Sequence, residues 1–137
     1  MAFNQWKAGG HQRACIMTEE LVGYMPLSSG DYQIGGKLLA NTQQKVVLFK
    51  KIASLIQAMH QHNFQHDCFY LEHIFSKSLP NNDVHLRVID LKKAKKLVCK
   101  KRAVFRDLDT LLRHSNSWSD DDKLVFFQNT PKGINSK

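Results

Sequence analysis

The sequence has no long hydrophobic run and few cysteines. No segment approaches the roughly 18 consecutive apolar residues that a membrane-spanning helix needs, and the N-terminal MAFNQWKAGG contains no apolar core of a secretory signal. Cys15, Cys68 and Cys99 are odd in number and widely spaced. This spacing argues against a disulfide framework and a zinc knuckle. We therefore predict a cytoplasmic protein whose thiols are reduced.

Glycine-rich phosphate-binding motifs are also missing. The sequence contains no G-x-x-x-x-G-K-[ST] motif, which excludes a P-loop. Gly9-Gly10 and Gly35-Gly36 are too sparse to form a loop around nucleotide phosphates. Internal repeats and low-complexity segments are absent as well.

What the chain has is the size of one domain and an excess of positive charge. Its 137 residues suffice for one hydrophobic core. The net charge of +8 points to an anionic partner, such as phosphates, nucleic acid or an acidic membrane surface. The alternative is a basic surface that only keeps the protein soluble.

The N-terminal third of the chain contains few regular patterns. Residues 1–11 predict an irregular lead-in that ends in the Gly9-Gly10 turn signal. Ala14 to Met17 is a short apolar run that predicts a buried strand. The strongest helix pattern runs from about Thr42 to His60 behind an Asn41 cap, with one apolar stripe that is typical of core.

The remaining elements are a hairpin and two helices. The runs 73–75 and 84–91 predict strands joined by a turn at residues 80–83, and the second strand is expected to be mostly buried. The apolar spacing from Val104 to Leu112 indicates a second helix. Ser119 is expected to cap a third helix, whose first turn is acidic. The last residues, 132–137, are expected to fray.

Two aspartates occupy positions that could support phosphoryl transfer. Asp67 opens a polar loop after the long helix, and Asp90 ends the second hairpin strand. In such a site one carboxylate orients a hydroxyl nucleophile and another binds the metal that holds nucleotide phosphates. From spacing alone, the favoured interpretation of Asp67 is a cap of its own loop, and the alternative for Asp90 is a surface salt bridge with Lys92 or Lys93.

Four histidines precede or follow Asp67, which raises a zinc alternative. They are His60, His62, His66 and His73. No cysteine pair or HExxH motif accompanies them, so zinc is the less favoured interpretation.

The chain resembles the lipopolysaccharide kinase (Kdo/WaaP) family of Gram-negative bacteria, and within it the InaA-like branch. The resemblance rests on four blocks in the family's order: RACIMTEELVGYMPL, QHDCFYLEHIF, VHLRVIDLKKAKK and FRDLDTLLRHSNSWSDDDKLVFF. It implies an α+β fold. In this fold a remnant N-lobe strand and hinge precede a protein-kinase-like C-lobe, which is mainly helical and contains a small β-hairpin. The implied divisions are an irregular lead-in at residues 1–11, the hinge with the C-lobe at residues 12–128, and a flexible tail at residues 129–137.

The resemblance also assigns roles to residues near the two acids. Asp67, in Gln-His-Asp, matches the catalytic aspartate that orients and deprotonates the acceptor hydroxyl. Asp90 matches the aspartate that binds Mg²⁺. The second metal ligand is His73 or Glu72, because His73 lies one place later than the family's spacing.

Three further groups of residues follow from the same resemblance. The hinge that meets the adenine of ATP corresponds to Glu19, Glu20 and Leu21. An acid that braces the catalytic loop is Asp107 or Asp109. The basic run after Asp90 would hold an anionic acceptor through Lys92, Lys93, Lys95 and Lys96.

The implied function is ATP- and Mg²⁺-dependent phosphorylation of a sugar hydroxyl on the lipopolysaccharide core or a related glycolipid, at the cytoplasmic face of the inner membrane. Almost nothing in this sequence precedes Arg13, and it has no glycine-rich loop or strand lysine to hold phosphates, so weak or absent activity is expected. The first alternative is a kinase-like binding module or fragment without catalysis. A basic nucleic-acid binder ranks last, because aromatic residues are not interleaved among the lysines.

Overall fold

The computed structural model describes residues 2–17, 19–32, 36, 41–96 and 100–130, which form a mixed α/β arrangement. Its helices are α1 (Thr42–Gln61), α2 (Lys100–Arg113) and α3 (Asp120–Gln128). Its strands are β1 (Ala2–Ala8), β2 (His11–Met17), β3 (Met25–Pro26), β4 (Phe64–Gln65), β5 (Ile74–Ser78), β6 (Val84–Val88) and β7 (Lys95–Lys96). All pairings among them are antiparallel, in the orders β1-β2, β3-β5-β6 and β4-β7.

The irregular lead-in predicted for residues 1–11 is wrong, because β1 fills most of it. β1 pairs with β2 from Ala2 opposite Met17 to Ala8 opposite His11. Gly9 and Gly10 form the two-residue turn, with φ of 58° and 79°. Two successive positive φ angles match the twist of a hairpin, so turn geometry fixes the register without clear side-chain alternation. The strand predicted at Ala14 to Met17 is the second half of β2.

Helix α1 begins at the predicted cap. The Asn41 side chain accepts hydrogen bonds from the N–H groups of Gln43 and Gln44, at 3.0 and 3.3 Å. The apolar stripe of the helix is buried, as its spacing predicts, while Lys50 and Lys51 face outward. In the described part of the chain, no helix combines the length and apolar character needed to cross a membrane.

The centre of the core is an aromatic cluster between α1 and α3. Phe49 is fully buried, and its ring lies 4.7 Å from Trp118 and 5.9 Å from Phe126 between centroids. Edge-on and tilted contacts at these distances stabilise aromatic pairs beyond their buried area. This cluster fixes the segment after α2 against α1.

The hairpin β5–β6 forms as predicted, but β6 is not mostly buried. Val84 is buried and Leu86 and Val88 are half-buried, whereas His85 and Arg87 are exposed. β6 is the edge of the β3-β5-β6 sheet and packs one face against α1, so only alternate side chains reach the core. Leu91 lies beyond the strand and is also exposed.

Helix α3 begins with a reciprocal capping box. The Ser119 side chain accepts from the Asp122 N–H, and the Asp122 carboxylate accepts from the Ser119 N–H. Asn129 and Thr130, predicted as the start of a flexible tail, instead donate side-chain hydrogen bonds to carbonyls of the last helical turn. The predicted frayed residues, 132–137, lie outside the described part of the chain.

Candidate functional site

The first candidate acid lies in a tight loop directly after β4. Residues 66–73, here called the Asp67 loop, connect β4 to β5. Asp67 has a φ of 68°, in the left-handed region that costs free energy for a residue other than glycine. Strained backbone of this kind persists only where neighbouring contacts hold it, and it often marks a functional position.

Asp107 of α2 supplies those contacts. Its carboxylate, which is 1% exposed, accepts hydrogen bonds from the backbone N–H groups of His66 at 3.1 Å and Asp67 at 2.9 Å. The ring Nε2 of His60, near the end of α1, donates a third bond at 3.0 Å. Of the two acids that the sequence left open, Asp107 therefore touches the loop, whereas Asp109 pairs with Arg113 on its own helix.

The second candidate acid follows β6 and is tied to the Asp67 loop. Asp90 also has left-handed geometry, with φ 56° and ψ 55°. The ring Nε2 of His66 donates to the carbonyl of Ile89 at 3.0 Å. His66 precedes Asp67 and Ile89 precedes Asp90, so this bond fixes the spacing of the two backbone segments that carry the acids.

The carboxylate of Asp67 is surrounded by donors. Lys95 Nζ lies 2.7 Å from Oδ2 and Gln65 Nε2 lies 2.7 Å from Oδ1, while Arg106 is 3.8 Å from Oδ1. The hydrogen bond from Lys95 is the main cause that holds the pKa of Asp67 below its usual range, and the positive charges nearby add to it. Asp67 is therefore ionised at neutral pH.

His73 faces the second acid in a defined orientation. Its Nδ1 donates to the carbonyl of Cys68 at 2.8 Å. In a neutral ring the lone pair is then on Nε2, which lies 3.6 Å from Asp90 Oδ2 and 3.7 Å from Glu72 Oε1. His73 Nε2 and the two carboxylates therefore face one another without a hydrogen bond between them.

The chemistry of this group suits magnesium only in part. The described residues contain no group of three or more His, Cys, Asp or Glu side chains that could hold a metal ion by themselves. Mg²⁺ is usually held by one or two carboxylates together with substrate phosphates and water. Asp90, half-exposed at the strand end, is one such carboxylate, and Glu72 and His73 are the two neighbouring candidates for a second ligand.

The other histidines of the zinc alternative have different partners. His60 and His66 are buried and donate to Asp107 and to the Ile89 carbonyl. His62 is exposed and follows the last residue of α1. In the described part of the chain these rings do not form a metal-binding group.

The structure places the predicted hinge and lysines as follows. Glu19 and Glu20 are exposed in the connection between β2 and β3, and the carbonyl of Leu21 accepts from the Tyr24 N–H. Lys92 and Lys93 lie in a short 3₁₀ turn, and the exposed residues Lys95 and Lys96 form β7. Among them, Lys95 contacts Asp67.

Sequence reasoning missed the group around the Asp67 carboxylate. Gln65 was not singled out, and Lys95 was assigned to substrate instead of to Asp67, which is 28 residues away in the sequence. The register of β4 against β7, with Gln65 opposite Lys95, brings the two together. Strands of two residues carry no periodicity, so the sequence offered no signal for this pairing.

Comparison with known proteins identifies first the fold and then the family. The chain superposes on a solved structure, WaaP in complex with acyl carrier protein, with a TM-score of 0.72 at 23% identity, over 93% of this chain and 55% of that one. This likeness shows the fold. The model of the Lipopolysaccharide kinase (Kdo/WaaP) family matches residues 1–129, so the chain belongs to this family.

A curated relative agrees with the family assignment. Protein InaA of Escherichia coli (strain K12) is 26% identical over 108 residues, which are 79% of this chain and 49% of InaA. The chain thus spans about half the length of that relative. The family resemblance seen in the sequence is confirmed, and so is the mixed α/β class. The division into hinge and lobe stays a prediction.

Proposed function

We propose that this chain contributes to ATP-dependent phosphorylation of a sugar hydroxyl on the lipopolysaccharide core or a related glycolipid. The observation that carries the proposal is the hydrogen bond from His66 to the carbonyl of Ile89. It links two strained segments, each of which ends in an exposed or half-exposed aspartate. Family membership makes phosphoryl transfer the reaction class to test.

In this proposal Asp67 orients the acceptor hydroxyl. Because its pKa lies below the usual range, Asp67 accepts a hydrogen bond from the hydroxyl at neutral pH and takes up the proton only as the oxygen is phosphorylated. Asp107 keeps the loop in the required conformation by accepting from the Asp67 N–H. The main contribution of these residues is positioning, as expected for a loose phosphoryl-transfer transition state.

Asp90 is the proposed Mg²⁺ ligand, with Glu72 or His73 as the second ligand. Bound Mg²⁺ would neutralise charge on the nucleotide phosphates. The adenine is assigned to the backbone of Glu19 to Leu21, which follows β2.

The basic segment Lys92–Lys96 is proposed to bind the anionic part of the substrate. Its lysines are exposed on the chain just after Asp90. Lysines near an anionic lipid surface each contribute about 1 kcal/mol of attraction within a Debye length. A peripheral contact with the inner membrane face follows from this assignment and would weaken as salt is raised.

Calorimetric titration with ATP and Mg²⁺ tests the nucleotide site. We expect a dissociation constant of about 100 μM or lower, weakened at least tenfold in Asp90→Asn and unchanged in Asp121→Asn, a matched exposed acid in α3. Asparagine tolerates the left-handed backbone of Asp90, so the substitution removes charge and not conformation. Equal affinities in wild type and Asp90→Asn would refute the site.

A second candidate function is a kinase-like module that binds but does not transfer. One observation favours this module. Both carboxylate oxygens of Asp67 already accept hydrogen bonds, from Gln65 and Lys95, and so are not free to accept from an acceptor hydroxyl. An assay for ADP release with a lipopolysaccharide core acceptor separates the two functions. Nucleotide binding without any acceptor-dependent ADP would favour the module.

A further inference from the structure

An open cavity of about 380 Å³ lies next to the Asp67 loop, on the side of Tyr70 and Glu72. Its volume falls in the range of small-molecule sites, roughly 300–1,000 Å³. Three segments line it: the turn after β3, the Asp67 loop and the segment after α2. Its polar lining residues are Ser28, Tyr70, Glu72, His114, Asn116 and Ser117.

The lining matches a sugar ring better than a phosphate. The described residues around the cavity include no lysine or arginine, in contrast to the basic segment Lys92–Lys96. Sugar hydroxyls both donate and accept hydrogen bonds. The Glu72 carboxylate accepts only, whereas the Asn116 amide and the Ser117 hydroxyl can do both. Such a set satisfies neighbouring hydroxyls on one neutral ring.

The cavity shares a wall with the candidate metal group. Glu72 lines the cavity, and its Oε1 also lies 3.7 Å from His73 Nε2, which is 3.6 Å from Asp90. The ring of Tyr70 packs edge-on against His73 and against His114, at centroid distances of 5.4 and 4.9 Å. A ring in this cavity would therefore lie beside Glu72, a candidate second ligand of Mg²⁺.

We propose that this cavity binds the sugar ring that carries the acceptor hydroxyl. The assignment rests on the proposed phosphotransferase function and adds the place where the neutral part of the acceptor is recognised. The basic segment Lys92–Lys96 binds the anionic groups of the same substrate. Recognition is thus divided between a cavity without lysine or arginine, which contacts sugar hydroxyls, and a positive surface, which binds anionic groups.

Titration of the full chain with methyl α-D-mannopyranoside, followed by NMR, tests the cavity. We expect the side-chain amide signals of Asn116 to shift at millimolar sugar. Backbone amide signals of the cavity residues should show that Asn116→Ala and Ser117→Ala each weaken binding about threefold to tenfold, the loss expected for one neutral hydrogen bond. Gln61→Ala, which removes an exposed amide at the end of α1, is the control and should leave binding unchanged.

Competition with adenosine decides which sugar belongs there. Shifts that persist with excess adenosine support the acceptor assignment, and displacement by adenosine would make the cavity a ribose site and overturn it. No shift of the Asn116 amide up to about 100 mM pyranoside would also overturn it. Calorimetry with ATP and Mg²⁺ on the same samples keeps the two proposals apart. Sugar binding without nucleotide binding would refute the proposed function. Nucleotide binding without sugar binding would refute only the assignment of the cavity to the acceptor sugar.

Discussion

Lys95 Nζ lies 2.7 Å from Asp67 Oδ2, across the β4–β7 pairing. The contact joins the proposed catalytic carboxylate to the basic segment that was assigned to substrate binding. One lysine therefore affects both the charge of Asp67 and the approach of an anion. An incoming phosphoryl group would compete with Asp67 for the same ammonium group, which would free the carboxylate to accept from a hydroxyl.

Removal of Lys95 should raise the pKa of Asp67. The hydrogen bond from Lys95 is the largest cause of the lowered pKa, so in Lys95→Ala the pKa should move up toward the ordinary value of about 3.9. A lowered folded pKa stabilises the protein fully above the unfolded value and loses that effect as the pH falls through the folded pKa. Lys95→Ala should therefore lose this stabilisation at neutral pH and approach wild-type stability in strong acid.

An NMR titration of the Asp67 carboxyl carbon measures this shift. Lys96→Ala is the matched control, because Lys96 is the neighbouring exposed lysine of β7, opposite Phe64. The same pKa in wild type and Lys95→Ala would show that the contact does not govern the charge of Asp67.

Substitution of Asp107 should destabilise the whole domain. In the wild type the Asp107 carboxylate accepts hydrogen bonds from His60, His66 and Asp67. In Asp107→Asn an amide N–H₂ replaces one carboxylate oxygen and faces a donor, so one of these bonds is lost. We expect about 3 kcal/mol less free energy of unfolding, the range for a buried charged network that loses a partner. Chemical denaturation monitored by circular dichroism measures it.

Asp109→Asn provides the comparison for Asp107. Asp109 pairs with Arg113 one turn along α2, in a contact exposed to solvent, and such pairs contribute roughly 0.3–0.5 kcal/mol. Similar losses in the two variants would contradict the bracing role of Asp107.

Truncation of Phe49 should be among the most costly core changes. Phe49 is fully buried between Trp118 and Phe126, and Phe→Ala substitutions at such sites cost about 3–5 kcal/mol. Phe105, which is 73% exposed on α2, is the control, and Phe105→Ala should change stability by less than about 0.5 kcal/mol. Thermal unfolding of both variants tests the prediction, and a small effect at Phe49 would refute the aromatic core.

Asp122 should make stability depend on acidity. Burial alone would raise its pKa, but hydrogen bonds from Lys45 and Ser119 outweigh burial and hold the pKa below its usual range. The stabilisation is therefore complete above the unfolded pKa of about 3.9 and disappears as the pH falls through the lower folded value. Asp122→Asn should cost about 2–3 kcal/mol at pH 7, since it removes a capping contact and leaves Lys45 without its buried partner.

Unfolding free energies measured from pH 7 to pH 2 check this dependence. The loss of stability below about pH 4 should be shallower in Asp122→Asn than in wild type. Asp121→Asn, a neighbouring exposed acid of the same helical turn, should follow the wild-type curve. A steeper curve in Asp122→Asn would show that the sign of the assigned pKa shift is wrong.

The sequence predicted elements whose signals are local. Asn41 at the start of α1 and Ser119 at the start of α3 cap their helices as expected, because a cap needs only residues within one turn. The hairpin β5–β6 was found from two apolar runs and a turn. In contrast, β1 was missed, since its pairing depends on the geometry of Gly9-Gly10 and not on alternation.

In the candidate site, too, the sequence predicted local features and missed contacts between distant residues. By itself the sequence determined the residue types and their order: Asp67 after a helix, Asp90 after a strand, and lysines directly behind it, a pattern that also identified the family. Only the tertiary structure decided that Asp107 and not Asp109 holds the loop, and that Lys95 lies on Asp67. Those contacts join residues 40 and 28 positions apart. They form because helix packing and strand register bring distant segments together, which no local pattern specifies.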